Sequence, residues 1–152
     1  MLAQENSIAQ RLCRGVCRAL LDLGYAPLCE FRLACGRRAD VFALSDCGEA
    51  VIVEIKSSVE DFRTDQKWPE YAPYCDRFYF AVDCDFPKER LPEACGMMVC
   101  DGFGGAILRE CAASPLNAAR RKAVTLSFAR LAAARLMRAG EAGASPSEPA
   151  ID

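Results

Sequence analysis

The sequence predicts an α/β fold, a mixed β-sheet flanked by helices. Three observations carry that expectation. Apolar residues recur at helical spacing over residues 5 to 24, short β-branched and aromatic runs follow, and a second long helical stretch begins after residue 114. Helix, strands, short helices, strands and helix in that order suit one sheet with covered faces. At 152 residues, 52% of them apolar, the chain is long enough for one well-formed core and short for two domains. Residues 1–138 are therefore expected to form a single domain.

Taken in order, the first helix places Ile8, Leu12, Val16, Ala19, Leu20 and Leu23 within an arc of about 120°, an apolar stripe facing a core. Arg11, Arg14 and Arg18 gather on the far side, where a solvated helix face is the commoner role and contact with backbone phosphates the functional one. Gly24 stops this helix, and Tyr25 to Leu33 reads as a first strand carrying Glu30. Residues 39 to 44 and 50 to 56 form two apolar runs joined by Ser45-Asp46-Cys47-Gly48, a turn sequence, so they read as a hairpin. Val59 to Tyr74 is polar, acidic and aromatic. Pro69 forbids one unbroken helix there, which predicts a short helix, a break near Trp68 and a second short helix from Pro69.

Arg77 to Val82, Gly96 to Cys100 and Ala106 to Leu108 read as further strands. The last helix is expected to open with Ser114 as N-cap and Pro115 at its first position and to run to about Arg138. Its Arg120, Arg121, Lys122, Arg130, Arg135 and Arg138 spread around the axis, which suits a charged cover for the sheet as well as it suits DNA contact. Residues 139–152 mix Gly, Ala, Ser, Pro and Glu without periodicity and are expected to be a disordered tail. No internal repeat is visible.

Composition excludes several chemistries. The chain has no histidine, so Ser-His-Asp and Cys-His triads and histidine-metal nuclease sites are ruled out, and any hydrolysis must run on carboxylates, lysine and metal. Ten cysteines occur without a Cys-x-x-Cys pair, and they read as reduced, mostly structural thiols. Cys13 and Cys17 lie one helical turn apart but have no evident partners. No run of eighteen apolar residues occurs and the N-terminal segment lacks a basic start, so neither a membrane span nor a signal peptide is expected, and a cytoplasmic location is. A net charge of -2 and a pI near 5.3 argue against a general electrostatic grip on DNA. Arg37, Arg38, Lys56, Arg63 and Lys67 can still guide a strand locally, which predicts weak non-specific binding or a need for a partner.

The chemistry concentrates in Arg37-Arg38-Ala39-Asp40-Val41 and Val53-Glu54-Ile55-Lys56. Alternation puts Ile52, Glu54 and Lys56 on one face of their strand, with Glu54 and Lys56 about 6.6 Å apart, and Val51, Val53 and Ile55 on the other. Pairing the two strands brings Asp40 and Glu54 toward a common point. Hard oxygens on rigid strands suit Mg²⁺, and a neighbouring lysine can orient the attacking water and offset charge on a phosphate. An exposed edge with Glu and Lys as solubilising residues gives the same local pattern. Glu54, however, interrupts an apolar run that looks buried on both faces, where an unpaired charge is costly.

The stretch from Glu30 through Arg37-Arg38-Ala39-Asp40, Val53-Glu54-Ile55-Lys56-Ser57-Ser58, Asp61-Phe62, Asp65-Gln66-Lys67-Trp68, Tyr71, Tyr74-Cys75-Asp76 and Phe80-Ala81-Val82 resembles the MmcB-like bacterial DNA-repair proteins of the PD-(D/E)XK nuclease superfamily. The similarity runs from about residue 6 to residue 138. It implies a restriction-endonuclease-like fold and a role in DNA repair. Carried over, Asp40, Glu54 and Lys56 match the superfamily's Asp and Glu-x-Lys, and Glu30 resembles the acidic residue that often precedes them. Ala39 stands where the superfamily has its proline. Lys67-Trp68-Pro69-Glu70-Tyr71 stands where related nucleases often carry a Gln-x-x-x-Tyr helix, and lysine cannot both donate and accept as glutamine does.

The resulting expectation is a Mg²⁺- or Mn²⁺-dependent DNA nuclease of repair. Asp40 and Glu54 hold the metal, Glu30 assists directly or through a water, and Lys56 positions the attacking water. Arg14, Arg37, Arg38, Lys67, Trp68 and Tyr71 are the candidates for nucleic-acid contact, although burial is the commoner fate of a lone tryptophan. DNA and other repair proteins are the expected partners, and a two-fold homodimer would suit cleavage of both strands. The alternative is a non-catalytic DNA- or protein-binding repair module on a nuclease-like scaffold. A cysteine-based redox sensor is a third reading and would need a reactive thiol with a resolving partner.

Overall fold

The computed structural model describes residues 2–143. Helix α1 (Leu2–Asp22) precedes six strands, β1 (Tyr25–Arg32), β2 (Arg38–Ser45), β3 (Ala50–Ile55), β4 (Arg77–Val82), β5 (Gly96–Cys100) and β6 (Gly105–Arg109). They form one open sheet in sequence order. β1, β2 and β3 pair antiparallel, β3, β4 and β5 parallel, and β6 antiparallel to β5. The expected mixed sheet with flanking helices is the fold that forms.

Every residue of β3 is buried, because this central strand is covered on both faces. Val51, Val53 and Ile55 pack with Val41, Ala43 and Ala81 against Leu12, Val16, Ala19 and Leu20 of α1. Ile52 faces the other way, with Phe31, Phe42, Phe78 and Phe80, under residues of the later helices such as Phe62, Trp68, Val124 and Phe128. Fully burying one such aliphatic or aromatic side chain is worth roughly 1.5–3 kcal/mol, so the two apolar clusters fix the strand's orientation. Helix α1 also approaches the β5–β6 turn closely. A Cβ at Gly15 would stand 1.9 Å from the Asp101 carbonyl oxygen, so only glycine fits there. Leu23, expected in the apolar stripe, lies past the end of α1 and is exposed.

Between β3 and β4 the broken helical segment is present, in a tighter form than expected. Helix α2 (Val59–Thr64) is capped by Ser58, whose Oγ accepts the Asp61 N–H at 3.1 Å. Residues Trp68–Tyr74 then form a 3₁₀ segment rather than an α-helix. Pro69 stands in its first turn, and Pro73 inside it removes a backbone donor that an α-helix would use.

The last helix, α3 (Ala118–Gly143), starts later and ends later than expected. Asn117, not Ser114, caps it: Asn117 Oδ1 accepts the Arg120 N–H at 2.8 Å. Asp76 is the reason, since its carboxylate accepts the Leu116 N–H at 2.8 Å and its carbonyl accepts the Ser114 N–H at 2.8 Å, holding the approach extended. Residues 139–143, assigned from sequence to the disordered tail, are helical; the rest of that expected tail lies outside the described residues. Several α3 cations brace the domain. Arg121 makes a bidentate bond to Asp76 at 2.7 and 2.8 Å, and the Arg120 guanidinium lies 4.3 Å from the centre of the Tyr74 ring.

Candidate functional site

The β2–β3 ladder runs from the Leu44–Ala50 pair to the Val41–Val53 pair, and Asp40 and Glu54 stand opposite each other one step beyond. There side chains replace the ladder. The Asp40 N–H donates to Glu54 Oε1 at 3.0 Å, and the Ile55 N–H donates to Asp40 Oδ2 at 2.9 Å. Each carboxyl is thus held by one backbone N–H, and the two carboxyls also lie within hydrogen-bonding reach of each other. Glu54 is only 4% exposed. Burial, and then the charge of Asp40, push its carboxyl up to about 9. Asp40 is raised as well, burial outweighing the Ile55 N–H and the charge of Lys56. The pair therefore retains a proton near neutral pH unless a cation takes its place.

Lys56 follows β3, its N–H bonded to the Ala81 carbonyl at 3.0 Å, and is also 4% exposed. Its Nζ lies 2.6 Å from Asp65 Oδ2. Asp65 sits between α2 and the 3₁₀ segment, where its Oδ1 accepts the Lys67 N–H at 3.1 Å. Burial works to raise the Asp65 carboxyl, but Lys56 and the Lys67 N–H outweigh it and hold it low. Asp40, Glu54, Lys56 and Asp65 line one cavity of about 670 Å³, with Glu30, Arg38 and Tyr71 also on its wall. Sequence reasoning missed Asp65 as a site residue. It belongs to the recognised Asp65-Gln66-Lys67-Trp68 block, but only the fold reveals that it reaches Lys56.

Glu30 is on the cavity wall but does not complete a carboxylate triad. Its ligand oxygens do not join those of Asp40 and Glu54 within 4.8 Å, so the direct ligand role considered for it is not the observed arrangement. Its backbone is unusual, with a φ of +52° in the middle of β1, a left-handed conformation that costs roughly 1–2 kcal/mol for a residue with a Cβ. Strand alternation resets here. Leu28 and Phe31, three apart, pack on the same cluster, as do Ala39 and Phe42 on β2. Arg135 of α3 holds the distortion, donating to the carbonyls of Cys29 and Glu30, the latter at 2.9 Å.

The nucleic-acid candidates divide. Arg38 is exposed on the cavity wall and Arg14 is exposed on α1. Arg37 is ion-paired with Glu70. Lys67 is exposed but is not part of the cavity wall. Trp68, expected near the site, instead packs on Phe78 and Phe80 at 6.0 and 6.2 Å between ring centres. Tyr71 is buried against Phe78 and donates its hydroxyl to the Arg38 carbonyl at 3.2 Å. The 3₁₀ segment presses both rings into the core, which is where large aromatic area gains most. An open cleft of about 1010 Å³ adjoins the cavity through Arg38 and Tyr71 and carries Arg32, Arg37 and Arg120. Arg32 and Arg120 are far apart in sequence, which hid the cleft from a linear reading.

Cys13 and Cys17 acquire a partner from β1. Cys29 Sγ lies 3.2 Å from Cys13 Sγ and 3.4 Å from Cys17 Sγ. Hydrogen bonds from those two thiols, with Arg135 nearby, hold the Cys29 thiol far below the ordinary thiol range, while Cys17 is pushed up to about 11.

Comparison with known proteins gives one family and one close structural relative. A family model described as DNA repair protein MmcB-like matches residues 3–143. Among solved structures, the SPO1766 protein of unknown function from Silicibacter pomeroyi is 42% identical, with a TM-score of 0.84 over 92% of this chain and 97% of that one. No curated protein matches the chain.

Proposed function

The chain belongs to the MmcB-like DNA repair proteins, and from that premise we propose that it is a metal-dependent DNA nuclease centred on Asp40, Glu54 and Lys56. One observation carries the reading: the half-buried Asp40 and the buried Glu54 face each other at the open end of the β2–β3 hairpin with the buried Lys56 in the same cavity. A pure binding module gains nothing from buried acids that repel phosphate. The residues present fit a hard divalent cation. Asp40 and Glu54 are each held by one backbone N–H and converge on each other, so a divalent cation between them could take the place of the proton they share.

Asp40 and Glu54 would hold Mg²⁺ or Mn²⁺, and that ion would supply Lewis acidity at the scissile phosphate. The other steps belong to the side chains. Asp65 fixes the Lys56 Nζ at 2.6 Å, so the side chain is preorganised to orient an attacking water and to offset charge developing on phosphorus. Arg38 on the cavity wall, with Arg32 and Arg120 in the adjoining cleft, offers contacts for the DNA backbone. In this reading the centre is of the PD-(D/E)XK type, with Glu30 at its rim acting through a water.

The test is cleavage of labelled single-stranded, duplex, flap and junction DNA with Mg²⁺ or Mn²⁺, comparing wild type with Asp40→Ala and Lys56→Ala. Both substitutions are expected to lower cleavage by about two orders of magnitude or more. No cleavage by wild type, or equal cleavage by all three, would move the reading to a non-catalytic repair module.

A further inference from the structure

Helix α1 and strand β1 bring three thiols together at a place that the proposed nuclease chemistry does not use. Cys13 and Cys17 are one helical turn apart on α1, and Cys29 reaches them from β1 one residue before the left-handed Glu30. All three sulfurs lie within 4.8 Å of one another. Among the described residues this is the sole group of three potential ligand atoms so close together. The sulfurs are half-buried and unbridged, and they open onto a surface cleft of about 510 Å³ that Gln10, Arg14 and Arg18 also line.

We propose that Cys13, Cys17 and Cys29 form a thiolate site for one Zn²⁺ ion that clamps α1 to β1 beside the Asp40–Glu54 cavity. Geometry is the first argument. Tetrahedral bonding at about 2.3 Å from zinc places thiolate sulfurs roughly 3.8 Å apart. The observed 3.2 and 3.4 Å need only a small outward movement, and a zinc ion would leave one coordination position facing the cleft. Softness is the second, since three sulfurs without an oxygen or imidazole among them select thiophilic ions over Mg²⁺. Charge is the third. Three thiolates with a dication leave one net negative charge, which Arg14 and Arg18 on the cleft wall offset; a monovalent ion such as Cu⁺ would leave two.

The position gives the clamp a role. Cys13 and Cys29 line both the thiol cleft and the carboxylate cavity, and Arg135 holds the Cys29 and Glu30 carbonyls from the opposite layer. A metal at the sulfurs would fix β1 from the α1 side where Arg135 fixes it from the α3 side. Glu30 would then be held at the cavity rim between two anchors.

Cobalt provides the test, because Co²⁺ bound by thiolate gives a charge-transfer absorption that carboxylate ligation does not. The full chain, reduced and stripped with a chelator, is titrated with Co²⁺ and then with Zn²⁺. Wild type is expected to develop the thiolate-to-cobalt band with a plateau near about one equivalent and to lose it when Zn²⁺ displaces cobalt. Asp40→Asn, Cys35→Ser and Cys84→Ser should retain the band. Cys29→Ser and Cys17→Ala should each weaken Zn²⁺ binding by about a hundredfold or more, with circular dichroism confirming that the variants fold. Zn²⁺ should also raise the melting temperature of wild type and not that of Cys29→Ser. Absence of the band in wild type would overturn the proposal, as would an undiminished band in folded Cys29→Ser. A Cys13–Cys29 or Cys17–Cys29 disulfide in protein purified without oxidant would overturn it too, in favour of a thiol–disulfide pair.

Discussion

Strand β3 meets buried carboxylates at both of its ends, and the two ends are electrostatic opposites. At Ala50, Asp76 is 5% exposed and fully engaged. It accepts the N–H groups of Ala50 and Leu116 at 2.7 and 2.8 Å and a bidentate Arg121. Burial works to raise its carboxyl, but Arg121 and the two N–H groups win and hold it at about 2. Glu54 is as little exposed but lies deeper in the protein, so loss of solvation weighs more on it; each acid there also accepts only one backbone N–H, and the nearest cation is already paired with Asp65. Glu54 is accordingly driven up to about 9. Depth of burial and the supply of donors and counter-charge together set the state of each carboxyl. Asp76 ties β3, the approach to β4 and α3 together, whereas the Asp40–Glu54 pair carries a strain that a bound cation would relieve.

Substitutions should widen or erase this contrast. The largest stability loss is expected from Asp76→Asn, which leaves Arg121 without its partner. Arg121 is half-exposed, so the loss is that of a charge-assisted hydrogen-bond network, about 1.5–3 kcal/mol, readable as a lower midpoint in urea. Asp65→Asn strips the partner from buried Lys56 and should cost about 1–3 kcal/mol, together with a loss of any metal-dependent DNA cleavage. Wild-type stability despite Asp65→Asn would show that Lys56 finds another partner.

Glu54→Gln should act in the opposite direction in chelator, stabilising the metal-free chain by about 1 kcal/mol at pH 8 because it removes a buried charge conflict. The sign follows from linkage. A carboxyl raised from 4.5 to about 9 contributes stability that is complete below 4.5 and is lost as pH rises through 9. Asp76, lowered from 3.8 to about 2, contributes stability that is complete above 3.8 and is lost as pH falls through 2. Unfolding free energies between pH 5 and pH 9 should therefore decline in the wild type and flatten in Glu54→Gln, and Mn²⁺ should offset the decline only where Glu54 is present. A flat wild-type profile would count against the charge conflict. The smallest effect is expected from Glu30→Gly. Relief of the left-handed backbone should stabilise the fold by about 0.5–1 kcal/mol while removing the rim acid, so denaturation and cleavage would move in opposite directions.

Much of this molecule was legible without coordinates, for local reasons. The stripe of Leu12, Val16, Ala19 and Leu20 announces a helix packed on one side, and the alternation in β3 separated Ile52 from Val51, Val53 and Ile55, as the two core clusters bear out. The opposition of Asp40 and Glu54 follows from a short hairpin whose turn fixes its register. Helix ends were less legible. Ser114 and Pro115 form a sound capping signal, but Asp76 captures that segment from outside it. Trp68 and Tyr71 could be placed near the site by sequence distance; Tyr71 does reach the cavity wall, whereas the 3₁₀ geometry packs Trp68 against Phe78 and Phe80.

The amino-acid sequence by itself determined the fold class, the central buried strand and the pair of acids with their lysine, because periodicity and turn chemistry act over a few residues. Tertiary structure alone decided which donors reach each acid. It attached Asp65 to Lys56, Arg121 to Asp76 and Arg135 to the carbonyl of Glu30, and it brought Cys29 to Cys13 and Cys17. Those partners come from separate elements, and no local pattern records a hydrogen bond that exists only after two layers have packed on a sheet.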